Sequence, residues 1–138
     1  NNIQTDKLLM TPLELKEYIP FDVKRVYFFS VKGDGTGEHC HFEEEELFVM
    51  IKGSCTAVID QGNGKEEISF VAPKTALYVP NYVWHGFKDF SDDAILLALS
   101  STNYKPDRSD YLEDYEEYVK VRDEKLNINE LAKERVSS

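Results

Sequence analysis

His39 and His41 stand one residue apart in "GEHCHFEEEEL" (37–47), with a run of carboxylates right behind them, and the chain has only one other histidine, His85. Imidazoles beside carboxylates do two kinds of chemistry near neutral pH: they ligate a transition metal, or they take and return protons. In a strand, residues two apart face the same side, so His39 and His41 point together inward or together outward. Two imidazoles aimed into a core are not packing material, and the pair reads as a site. The glutamates at 43–46 read mostly as a solvated turn. Glu46 is the exception, because it opens the next apolar run and can return to the histidines' face.

Groups so far apart in the chain need a stiff frame to meet, and residues 22–102 supply one. Short apolar or alternating runs at 23–31, 46–53, 54–60, 66–72, 76–80, 83–90 and 94–100 predict at least seven strands. Glycines in "KGDGTG" (32–37) mark a turn before the histidines, Gly53 a tight break, and "QGNGK" (61–65) a hairpin loop. So many strands with short links form a sandwich or barrel. After residue 104 the pattern changes: Tyr111, Tyr115 and Tyr118 recur at helical spacing, with Asp110, Glu113 and Asp114 where a first turn favours negative charge. This predicts a helix docked on the barrel by its tyrosines. The stretch 126–138 reads as a short amphipathic helix or a frayed end. The expectation is therefore an all-β single domain over 1–138, with the barrel at 19–102 and a helical segment at 107–138.

A length of 138 residues suits one domain with a real core. The net charge of −10 disfavours nucleic acid and anionic membrane surfaces, although a local cluster such as Lys24 and Arg25 is available to a small anionic ligand. No stretch reads as a membrane span or a secretory leader, so a cytoplasmic protein is expected, with Cys40 and Cys55 as reduced, partly buried thiols.

The intervals Gly33, five residues, His39, one, His41, four, Glu46, six, Gly53 resemble the first motif of the cupin family. Pro80 and His85 in "PNYVWH" resemble the second, although Tyr82 stands where that motif has Gly and Asp89 where it has Asn. The resemblance implies a double-stranded β-helix, a jelly-roll barrel, with His39, His41, Glu46 and His85 converging in its mouth. That set is a credible shell for a divalent metal, so a metal-dependent cupin enzyme is one reading. A non-catalytic sugar-nucleotide or small-molecule binding barrel is another.

A more specific similarity covers residues 19–118 through "IPFDVKRVYFF", "GEHCH", "GSCTAVIDQGNGKEEISF", "LYVPNYVWHGFKDFSDDAILLALSS" and "DYLEDYEEY". Together these resemble the sugar-nucleotide 3,4-ketoisomerases, which act on dTDP-4-keto-6-deoxyglucose. The resemblance implies proton transfer without a metal or other cofactor: removal of the C3 proton, an enediol, and return of a proton at C4. It implies His41 as the base at C3, His39 as its partner at C4 or its oxygen, and Tyr27 as the group that stabilises the enediolate. His85, Arg25, Lys24 and Trp84 are the substrate-binding candidates, Trp84 being either a packing residue at the mouth or a platform for the base. His85 following Trp84 matches members that leave a galacto product, here dTDP-3-keto-6-deoxygalactose. A homodimer is implied as well. Thr36 stands where the family carries Arg, leaving Lys32, Lys24 or Arg25 to replace that cation, and Glu46 stands where a relative carries Gln, which restores the full metal set.

Overall fold

A computed structural model describes residues 2–30, 34–73 and 75–125. Lys32, Gly33 and the stretch 126–138 lie outside the described residues. In chain order, β1 (Ile3–Gln4) and β2 (Leu9–Met10) make a small hairpin, followed by one helical turn, α1 (Leu15–Tyr18). The strands β3 (Arg25–Ser30), β4 (Cys40–His41), β5 (Glu46–Lys52) and β6 (Ser54–Asp60) follow. Then come β7 (Lys65–Val71), β8 (Ala76–Val79), β9 (Trp84–Lys88), β10 (Ile95–Ser100) and β11 (Tyr111–Leu112), and helix α2 over 115–125. All seven expected strands are present.

They form two antiparallel sheets, one ordered β3-β10-β5-β8 and the other β7-β6-β9. The second sheet is extended by the segment carrying the histidines, through bridges Gly35 to Lys88 and His39 to His85, and then by β11, which pairs with β4. Period-two alternation aims Phe48, Met50, Leu96 and Ala98 of one sheet at Cys55, Ala57, Ile59, Phe70 and Phe87 of the other, and all of these are buried. Each fully buried large side chain contributes roughly 1.5–3 kcal/mol, so this interleaved face is what keeps the sheets together. The result is the cupin jelly roll, with the site at the end where β3, β4, β5 and β9 meet.

Two local details fix that end. Gly86 lets the histidine segment lie close on β9, since a Cβ there would come within 2.5 Å of Glu38 Cγ and 3.2 Å of its Cα. At Tyr82, where the motif has Gly, the backbone keeps the left-handed turn with φ 64°. For a non-glycine residue this costs roughly 1–2 kcal/mol. The turn is held by Tyr82 N–H donating to His41 O at 2.8 Å and by the Tyr118 hydroxyl donating to Tyr82 O at 2.8 Å.

The C-terminal segment departs from expectation. The helix begins at 115, capped by Asp114 accepting from Glu117 N–H at 3.1 Å, and Tyr111 lies before it on β11. Asp110 is not a solvated first-turn charge but is buried beneath residues 42–44. Tyr115 and Tyr118 do form the docking face, packing on Trp84 at 5.2 and 5.3 Å between ring centroids. Arg122 adds two bonds to buried Asp60, at 3.0 and 2.9 Å. Cys40 and Cys55 are free, buried thiols, and burial pushes both up to about 11.

Candidate active site

Strand alternation decides which expected residues meet. His39 and His41 share one face of their segment, while Cys40 between them faces α2 with Trp84 and Tyr118. On β9, His85 points to the histidine pair, so Trp84 must point the opposite way. It is only 2% exposed against α2, with Nε1 donating to Glu38 at 2.9 Å, and is a packing residue rather than a platform for a base. Along β3, Arg25 and Tyr27 are half-buried and Val26 and Phe28 exposed; Lys24 continues the exposed phase and leaves the site. Arg25 is thus the inward cation of that pair.

The three imidazoles and Glu46 converge. His39 Nε2 and His41 Nε2 are 3.1 Å apart, and the His39 ring lies 4.7 Å from those of both His41 and His85. His41 Nε2 is also 3.2 Å from Glu46 Oε1 and 2.9 Å from Glu44 Oε2. The second oxygen of Glu46 accepts from the Tyr27 hydroxyl, and Glu44 accepts from Arg25 and Ser100. Behind His41, Asp110 Oδ2 lies 3.4 Å from Nδ1. Two buried ring nitrogens, His41 Nδ1 and His85 Nε2, have no hydrogen-bond partner among the described residues.

The charges follow from these neighbours. Burial works against protonating His41, but the Glu44 and Glu46 carboxylates outweigh it and raise its pKa to about 9, so it is held as an imidazolium. Burial and the two adjacent imidazoles push His39 down to about 3, so it stays neutral. Burial opposes ionisation of Glu46, yet His41 and His85 hold it well below the usual carboxylate range. Tyr27 is driven far above an ordinary phenol by burial and by Glu46, and keeps its proton.

A cavity of about 120 Å³ opens onto this cluster, walled by Tyr27, Thr36, His39, Glu46, Phe48 and His85. His41 stands behind the wall. Tyr27 is shared with an outer groove of about 350 Å³ formed with Arg25, Tyr104 and Tyr111. Arg108 lies 4.4 Å above the Tyr111 ring at this edge. Thr36, in the family's arginine position, offers no cation; its hydroxyl accepts from Phe87 N–H at 3.0 Å and staples the histidine segment to β9. Larger clefts near the N-terminus lack any imidazole in their walls: one of about 270 Å³ beside Thr11 and Leu13 has no carboxylate either, and one of about 440 Å³ beside Leu15 and Ile19 has only Asp22.

Sequence reasoning missed Glu44, Asp110, Tyr111 and Arg108. Glu44 had a signal, since it shares the two-residue phase of Glu46; a run of four glutamates hid it. The other three reach the site only through β11, and nothing near them in the sequence announces that pairing.

His39, His41, Glu46 and His85 offer ligand atoms all within 4.8 Å of one another, so the donor set fits a divalent transition metal. It equally fits acid–base work, with a neutral and a protonated imidazole in contact.

A two-sheet jelly roll with imidazoles and carboxylates in its mouth defines a cupin-type barrel equipped for proton or metal chemistry. Comparison with known proteins is more particular: the family described as FdtA: WxcM-like, C-terminal, matches residues 1–123, and the chain belongs to that family. It is 38% identical over 113 residues, 80% of each chain, to the TDP-4-oxo-6-deoxy-alpha-D-glucose-3,4-oxoisomerase of Aneurinibacillus thermoaerophilus. Among solved structures it resembles the QdtA sugar 3,4-ketoisomerase of Thermoanaerobacterium thermosaccharolyticum, in complex with TDP, at 29% identity and a TM-score of 0.80, covering 91% of both chains. It also resembles the WlaRB TDP-quinovose 3,4-ketoisomerase of Campylobacter jejuni at 30% identity and a TM-score of 0.77, covering 87% of this chain and 92% of that one.

Proposed function

We infer that the chain is an isomerase, a sugar-nucleotide 3,4-ketoisomerase acting on a TDP-linked 4-keto-6-deoxyhexose. The observation that carries the reading is the imidazole pair, with Nε2 atoms 3.1 Å apart, one neutral and one protonated, beside a cavity lined by a phenol that keeps its proton. Its relatives named as 3,4-ketoisomerases supply the substrate class; a His-to-Asn variant of QdtA is in complex with TDP-4-keto-6-deoxyglucose.

The reaction needs one proton taken from C3 and one returned at C4, with the hydroxyl proton passing from the C3 oxygen to the C4 oxygen. A pair that holds a single proton can serve both transfers, one member as base and the other as acid. Resemblance assigns the base to His41. The charge pattern of the site supports the reverse starting arrangement, with neutral His39 on the cavity wall ready to accept and His41 behind it supplying the proton. Tyr27 is placed in this reading as the donor to the enediolate oxygen. His85, its Nε2 without a hydrogen-bond partner among the described residues and beside the cavity, is assigned to the sugar, with a galacto product, dTDP-3-keto-6-deoxygalactose. Arg25 and Arg108 border the outer groove and are the cations offered to the diphosphate, while Lys24 and Trp84 have no part.

We also propose a homodimer. The outer face of β3, an edge strand, exposes Val26 and Phe28, the latter at 72%, and the β1–β2 hairpin exposes Leu9 and Met10. Light scattering should give twice the chain mass, and Phe28→Asp should shift it towards one; an unmodified chain of single mass would refute the dimer. Among the described residues no helix is long and apolar enough to cross a membrane.

The deciding experiment is incubation of the chelated protein with TDP-4-keto-6-deoxyglucose in deuterated water, followed by NMR. Deuterium at C4 of a 3-keto product is the expected result, and the C4 configuration tests the role given to His85. Turnover that stops on chelation and returns with a divalent metal would favour the second reading, a metal-dependent enzyme using His39, His41, Glu46 and His85, which the clustering of their ligand atoms supports. Tight binding with no product would leave a binding barrel.

A further inference from the structure

His41 is held from behind by residues that come after the barrel. Strand β11 pairs with β4 in the register Tyr111 to His41 and Leu112 to Cys40. Its Tyr111 ring meets the His41 ring edge-on, 4.6 Å between centroids at 70°, and lies 5.0 Å from that of His39. One residue earlier, the Asp110 carboxylate accepts three consecutive backbone N–H groups, from Phe42 at 3.1 Å, Glu43 at 2.7 Å and Glu44 at 3.0 Å. The same carboxylate lies 3.4 Å from His41 Nδ1, a buried ring nitrogen with no other partner among the described residues. A carboxylate that only pinned the turn at 42–44 would not need to face that nitrogen.

Resting on the ketoisomerase reading, we propose that Asp110 and Tyr111 are positioning residues that fix the orientation of the His41 ring for proton transfer. Asp110 directs the Nδ1 proton, which aims Nε2 at His39, and the Tyr111 ring blocks rotation of both imidazoles. The Phe42–Glu44 amides in turn fix Asp110, so the turn carrying Glu44 and the ring it contacts are set by one anchor. Removing a carboxylate that orients a functional imidazole costs roughly 10–100-fold where such pairs hold metal ligands, and a loss of that order is expected here.

The test uses the full chain with 15N-labelled histidine, read by NMR without substrate, alongside steady-state kinetics on TDP-4-keto-6-deoxyglucose. In the wild type, His41 Nδ1 should show a proton directed at a carboxylate; Asp110→Asn should remove that signature and lower kcat with KM little changed. Tyr111→Phe should keep turnover and Tyr111→Leu should lose roughly tenfold, in line with loss of an orienting contact. Because Asn cannot accept all three amide bonds, melting temperatures are measured as well. Leu112→Ala serves as a second variant that loosens β11 without touching the carboxylate. An unchanged His41 spectrum and kcat in Asp110→Asn would overturn the proposal. So would an equal kcat loss in Leu112→Ala with the His41 signature intact, since strand docking alone would then explain it. A protein with the expected nitrogen pattern but no ketoisomerase turnover would support the positioning and overturn the reading beneath it.

Discussion

Two buried charged clusters sit on opposite faces of the second sheet, and they are built to different rules. At the helix dock, Asp60 is fully buried and every one of its oxygens is engaged, by Arg122, by the Tyr115 hydroxyl at 2.6 Å and by Gly62 N–H at 2.8 Å. At the mouth, three carboxylates crowd one imidazolium and one guanidinium, and two ring nitrogens have no hydrogen-bond partner among the described residues. A satisfied network holds parts together, whereas an unsatisfied one stores the capacity to bind or move a proton. On the proposed reading the dock is structural and the mouth is chemical, although both are buried charge.

Substitutions can break that contrast or sharpen it. The largest effect is expected from His39→Asn: a general acid–base group contributes roughly 10²–10⁴-fold, so turnover should fall about a thousandfold while the melting temperature stays close to wild type. Wild-type rates would end the assignment of this mouth as the reacting site. Next comes pH. His41 gains proton affinity on folding, from 6.5 to about 9, so its stabilisation is full below 6.5 and fades as pH rises through 9. Glu46 is shifted the other way, so its contribution is full above 4.5 and fades as pH falls through its folded value. His39 is lowered from 6.5 to about 3, so stability is also lost as pH falls below 6.5. Denaturation monitored across pH should therefore show a maximum near 6.5, with a decline of a few kcal/mol towards pH 9 and another towards acid. At the dock, Arg122→Met should cost about 3 kcal/mol of stability by stranding Asp60, with kcat unchanged. A loss of activity without a loss of stability would erase the distinction between the clusters. The smallest effect is expected from Glu46→Gln, which keeps the shape but takes one charge from His41: about a tenfold drop in kcat and a downward shift of the basic limb of its pH profile. An unmoved limb would assign the effect on His41 to Glu44 alone.

Much of this was legible in the sequence. Seven strands, the His-x-His face, Glu46 and the distant His85 follow from period-two patterning and motif spacing, because alternation is enforced wherever one face of a strand is buried. The same rule applied one residue further would have removed Lys24 and Trp84 from the site, since each neighbours an inward-facing residue. Tyr111 misled because its spacing to Tyr115 and Tyr118 imitates a helix, yet the helix starts at 115 and β11 claims Tyr111 first. Asp110 meets amides 66 to 68 positions away, and no local pattern encodes such a contact. Tyr82 shows the converse: the motif's glycine is gone, but hydrogen bonds on either side retain the left-handed turn it would have made.

Trp84 carries a practical consequence. It is the chain's single tryptophan, packed beneath Tyr115 and Tyr118 and facing away from the histidines. Its fluorescence is therefore an optical gauge already wired to the seating of α2: emission should redden when the helix lifts and water reaches the indole, and remain largely blind to what fills the cavity on the other face of β9.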